Sequence, residues 1–126
     1  MQQPTVNTHR ARRLTRARLL DGVDALSAAD PDLAIVVARF GPPPLWARPP
    51  GFATLVQIVL EQQVSLASAR ATFKRLRDTC GEVTPERFAT LTPSQVQSAG
   101  VTRQKTGYCL GIARQIVDGT LDLRRL

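Results

Sequence analysis

A chain of 126 residues and 13.8 kDa, 43% hydrophobic and 21% charged, has the makeup of a soluble globular protein, either one small domain or a section of a larger one, with a net charge of +7. No apolar run approaches the ~20 residues of a membrane span and none reads as the core of a secretion signal. Cys80 and Cys109 lie far apart and His9 is the only histidine, too few ligands for a zinc or iron–sulfur site, so no metal or cofactor is expected. Both cysteines read as reduced, half-buried helix residues of a cytosolic protein.

The charge is uneven. Arg10, Arg12, Arg13, Arg16 and Arg18 fall within the first twenty residues with no acid among them, which makes residues 1–12 a basic, flexible arm by expectation. Clustered arginines can bind nucleic-acid phosphates by releasing counterions; a solvated terminus and, less favoured, an organelle transit peptide are the other readings. Leu19, Leu20, Val23 and Leu26 share one face of a first helix, about residues 13–28. Asp30 then supplies a cap with Pro31 at the first helical position, and Leu33, Val36, Val37 and Phe40 predict a second amphipathic helix ending at Gly41. Five prolines between residues 42 and 51 exclude both helix and central strand. That stretch is expected to be a stiff interhelix connection anchored in the core by Trp46, with a ligand for a polyproline-binding module as the weaker alternative.

From Gly51 to Leu76 two helices meet at a corner. Phe52, Leu55, Val56, Val59 and Leu60 form one buried face, and the periodicity stops at the polar cluster Glu61, Gln62, Gln63. Ser65 stands where an N-cap belongs, after which Leu66, Ala69, Phe73, Leu76 and Cys80 repeat at steps of three and four. Thr84-Pro85-Glu86 starts a short helix, and Thr92-Pro93-Ser94-Gln95 another with a capping-box pattern, closed by Gly100. Thr102 caps a longer helix with Tyr108, Cys109, Ile112, Ala113, Ile116 and Val117 as its apolar face, ending at Asp118-Gly119. The last seven residues hold three leucines and no helix of their own, and read as leading into a further element. Nothing reads as sheet, so the expected class is all-α, a multi-helix orthogonal bundle.

No nucleophile elbow, zinc-protease signature, phosphate-cradling glycine loop or cysteine–histidine pair is present, and Asp78 and Glu82 fall at helix ends where water solvates them. At the corner, Gln62 and Gln63 have two readings that spacing cannot separate: amides closing free carbonyls of the last helical turn, or a pair that enters a DNA groove.

Gly51-Phe52, Leu55, Ile58, Gln62-Gln63-Val64-Ser65 and Ala69 resemble a helix–turn–helix of the helix-hairpin-helix DNA glycosylase superfamily, specifically its 3-methyladenine DNA glycosylase II branch. Leu91, Ala99-Gly100-Val101, Arg103, Lys105, Ile112-Ala113 and Gly119 to Leu123 resemble the same family's next segment, in order. The resemblance covers residues 14–126 and rests mainly on the Gln-Gln-x-Ser block. It implies an all-α base-excision repair protein that flips an alkylated nucleotide out of double-stranded DNA, associated with the nucleoid. Gln62 and Gln63 would face the minor groove, with Gln63 wedged into the vacated stack, and Ser65, Arg103 and Lys105 would complete the DNA-binding set. Flipping costs a few kcal/mol, which gives a wedge its physical role.

The family continues with an L-P-G-[IV]-G hairpin and a catalytic aspartate. The sequence up to Leu126 holds neither, and Asp118 and Asp122 match non-catalytic positions, so residues 13–126 are expected to be an N-terminal part that is inactive alone, with no catalytic residue assigned. Two alternatives stand beside this. Gln95 to Arg103 has the outline of a helix-turn-helix regulator, weakened by Val96 and by the apolar helix that would read DNA; and a helical subunit could be completed by a partner chain.

Overall fold

The computed structural model describes residues 13–126, so the basic arm expected over residues 1–12 lies outside the described residues. These contain no strand. The helices are α1 (Arg16–Ala29), α2 (Pro31–Phe40), α3 (Phe52–Leu60), α4 (Leu66–Cys80), α5 (Pro85–Ala89), α6 (Pro93–Ser98) and α7 (Arg103–Val117), followed by a 3-10 turn at Leu123–Arg125. The chain divides into two compact units, Met1–Ala47 and Arg48–Leu126.

In the first unit Asp30 does two jobs. Its N–H donates to Leu26 O at 2.9 Å and closes α1, while its carboxylate accepts from the N–H groups of Asp32 and Leu33 and opens α2. The two helices bury no residue completely: Leu26, Leu33, Ile35, Val36 and Phe40 all remain exposed. Trp46 corrects the sequence expectation, being 86% exposed instead of anchored in a core. Prolines 42–44 hold the backbone extended just before it, and a pair of short helices has no interior to receive an indole ring.

The second unit carries the core. Phe52, Val56 and Leu60 line α3 at steps of four; Ala69, Thr72 and Leu76 line α4; Phe88, Val96, Cys109, Leu110 and Ala113 complete it. The rings of Phe52 and Phe88 meet edge to face at 5.6 Å. Ser65, Thr84, Thr92 and Thr102 each accept a backbone N–H in the first turn of the helix they precede, and Thr92 with Gln95 forms a full capping box.

Several side chains differ from the periodicity. Leu66, Tyr108 and Val117 are exposed, whereas Thr72, Thr106 and Leu110 are buried. The buried stripe of α7 runs through Thr106, Cys109, Leu110 and Ala113, and Tyr108 lies a hundred degrees of helix to one side of Cys109. Cys109 is fully buried rather than half-buried. The last residues also have local structure, because Asp122 accepts from the Arg124 N–H and caps the 3-10 turn, and Leu123 packs on the core.

Two arginines close the C-terminal ends of helices in this unit. Arg75 donates through Nε to Ala99 O at 2.7 Å, just past α6, and Arg87 donates through Nη1 to Cys80 O at 3.4 Å, at the end of α4. Gly100 and Gly81 follow those carbonyls with φ of +101° and +79°. A Cβ on either would lie 2.8 Å or 2.6 Å from the arriving guanidinium, so glycine provides both the left-handed turn and the room.

Burial pushes the Cys109 thiol up to about 11, against the opposing pull of the Lys105 charge. A thiol raised in the folded state contributes stability that is complete below the ordinary thiol range and is lost as pH rises towards about 11. Iodoacetamide at mildly alkaline pH is therefore expected to leave Cys109 unmodified in the native chain and to label it in urea, read by peptide mass spectrometry. The urea midpoint is expected to fall across that alkaline window, and to fall less in Cys109→Ala.

Candidate nucleic-acid interface

The corner between α3 and α4 is built from its last carbonyls outward. Gln62 donates through Nε2 to Ile58 O at 3.0 Å, so its amide closes a free carbonyl of its own helix. The ammonium of Lys105, arriving from the first turn of α7, donates to Leu60 O at 3.0 Å and to Gln62 O at 2.7 Å. Three carbonyls of the chain's exit from α3 are thus held by side chains, two of them by a cation at the negative end of the helix.

Gln63 comes next, with φ of +58°, the only non-glycine residue in the left-handed region among the described residues. Such a residue holds about 1–2 kcal/mol of backbone strain, which the surrounding structure must offset. It turns the chain so that Val64 and Ser65 lead straight into α4, where the Ser65 hydroxyl accepts from Ser68 N–H at 3.2 Å. Gln62, Gln63, Val64 and Ser65 are all exposed.

The starts of α4 and α7 lie side by side here. Val64, Ser68, Thr102 and Lys105 line one cavity of about 50 Å³ beneath the corner. Neither helix has an acid in its first turn to offset the partial positive charge of its N-terminus, and Arg103 beside them is exposed. Chemically, such an arrangement suits an anion placed beside exposed amide side chains. The structure thus gathers Gln62, Gln63, Ser65 and Lys105 at one place, with Arg103 two residues before Lys105 and no hydrogen bond or ion pair joining it to the corner among the described residues. Spacing did not reveal that Lys105 holds α3, because its partners lie 43 and 45 residues earlier.

The carboxylates near the end of α7 are occupied otherwise. A hydrogen bond from the Thr120 hydroxyl holds Asp118 below the usual carboxylate range, and one from the Arg124 guanidinium does the same for Asp122. Among the described residues no group of three His, Cys, Asp or Glu side chains could hold a metal ion, and no helix is long and apolar enough to cross a membrane.

The secondary structure of the described residues is helical throughout, with an exposed amide corner at the start of α4. Residues 56–125 match the family model of the HhH-GPD superfamily of base excision DNA repair proteins, more than half of the chain, and the chain belongs to that superfamily. It is similar to the crystal structure of a DNA-3-methyladenine glycosidase from Bacillus halodurans, with a TM-score of 0.65 and 27% identity over 81% of this chain; it spans 48% of that protein's length. A search of the curated proteins found no match.

Removing the ammonium leaves carbonyls at the corner without their donor. Lys105→Met is expected to cost about 1.5–3 kcal/mol of stability in urea unfolding, as for hydrogen bonds to a charged group. At Gln63, asparagine tolerates the left-handed region and a β-branched residue does not. Gln63→Asn is expected to leave stability within about 0.5 kcal/mol of the parent and Gln63→Val to lower it by more than about 1 kcal/mol, measured in the same titration.

Proposed function

We propose that this chain provides the DNA-distorting part of a DNA N-glycosylase that acts on alkylated bases, with double-stranded DNA carrying a damaged base as its partner. The observation that carries this reading is Gln63: an exposed amide held in a strained conformation at the outermost turn of a corner that is braced from beneath by Lys105. Strain of this kind clusters where geometry is needed for function. Gln63 fills the gap left by an extruded nucleotide. Gln62 borders it, with its Nε2 committed to Ile58 O and its amide oxygen left for a groove donor. Ser65 and the starts of α4 and α7 receive the flanking phosphates with Arg103. Lys105 acts at one remove, by fixing the turn that aims Gln63.

In this proposal residues 13–126 are the N-terminal part of the glycosylase domain, residues 1–12 are a basic arm, and the protein works in the cytoplasm at the nucleoid. No catalytic role falls to Asp118 or Asp122, whose carboxylates are bound to Thr120 and Arg124 at an exposed helix end.

The 126-residue chain is expected to bind a duplex containing a tetrahydrofuran abasic analogue more tightly than an intact duplex, with salt-sensitive affinity, and to release no base from methylated DNA. Gln63→Ala should reduce the preference for the abasic duplex and leave intact-duplex binding unchanged, whereas Arg103→Ala should weaken both and reduce the salt slope by about one. Fluorescence anisotropy reads the binding of the parent and both variants, and chromatography of the supernatant reads base release. Equal affinity for the two duplexes would overturn the wedge, and tight selection of one operator sequence would favour a regulator instead.

A further inference from the structure

A groove of about 570 Å³ runs between α3 and α4, and the corner residues Gln62, Gln63 and Ser65 are not among those that line it. Pro49, Ala53 and the half-buried Phe73 supply apolar surface beside the polar Thr54 and Gln57, while Arg70, Lys74 and Arg77 edge it. These three cations follow one another at steps of four and three along α4, one exposed stripe spanning about 10 Å of helix. The single acid in the lining, Glu61, is paired with Arg48 at 2.9 Å, so its charge is already answered from within the groove. What remains is a partly apolar trough with a positive edge of defined spacing.

We propose that this groove docks an acidic, amphipathic helical segment of a partner protein. Charge complementarity selects the chemistry: glutamates at i, i+4 and i+7 on one side of such a helix repeat the spacing of Arg70, Lys74 and Arg77, and its apolar stripe covers Pro49, Ala53 and the open edge of Phe73. DNA fits less well. A phosphate backbone gains nothing from the apolar part of the floor. A single strand would need an exposed ring to stack on, and Phe73 is half-buried and packed against the core. The proposal does not depend on the DNA reading of the corner, since the two surfaces share none of Gln62, Gln63, Ser65 and Arg103.

The test uses the 126-residue chain and a fluorescein-labelled synthetic helical peptide with glutamates at i, i+4 and i+7 and leucines on the adjoining face, followed by anisotropy. Saturable binding is expected, weakened about tenfold or more by Lys74→Glu combined with Arg77→Glu, weakened less by Lys74→Glu alone, and unchanged by Gln63→Ala. Circular dichroism and urea unfolding of each variant establish that the helices remain, as surface substitutions of this kind predict. Absence of saturable binding to the folded parent chain would overturn the proposal, as would equal binding of a peptide with lysine in place of glutamate. Displacement of the peptide by undamaged duplex, with the same two substitutions weakening the duplex, would reassign the groove to nucleic acid.

Discussion

The corner at residues 61–65 depends on one ammonium group. A helix ends with carbonyls that have no partner within it, and their partial negative charge accumulates at that end. In α3 these carbonyls face a turn that must then hold Gln63 at positive φ, a conformation with its own cost. Lys105 answers both requirements by bonding Leu60 O and Gln62 O across the change of direction. It also ties the start of α7 to the end of α3, so that the N-termini of α4 and α7 come to lie beside the exposed glutamine.

The same device recurs in the second unit. Arg75 closes α6 and Arg87 closes α4, each next to a glycine that leaves space for the guanidinium. Short helices gain little from intrinsic propensity, so a charged donor shared between two of them, worth more than a neutral hydrogen bond, fixes their relative placement while it satisfies their ends. Net charge is therefore a poor guide to binding here. Lys105, Arg75 and Arg87 are committed to carbonyls of their own chain and Arg48 to Glu61, while Arg103 and the α4 stripe of Arg70, Lys74 and Arg77 point to surfaces where a partner can meet them.

The two units contrast in how their apolar residues are used. The unit from Arg48 onward packs phenylalanine, leucine and valine from every one of its α-helices except α7's exposed flank, whereas α1 and α2 leave Leu26, Ile35 and Phe40 open. Two amphipathic helices can cover only one face each, and a third element is what normally closes such a pair. Trp46 belongs to the same picture: its exposure follows from the lack of an enclosing surface in its own unit, not from any polarity of the residue.

Much of this was legible in the amino-acid sequence. Side-chain caps at Asp30, Ser65, Thr84, Thr92 and Thr102, prolines at first helical positions and glycines past several helix ends mark most boundaries, because capping is local chemistry that acts within three or four residues. The Gln-Gln-x-Ser block carried the family resemblance for the same reason, being contiguous. The tertiary structure decided what local pattern could not reach: that Thr106 and Leu110 face inward while Tyr108 does not, that Gln62 bonds its own helix, and that Gln63 is the strained residue. It decided above all that Lys105 grips the end of α3, since a hydrogen bond spanning more than forty residues depends on how helices pack and leaves no periodic trace in the chain.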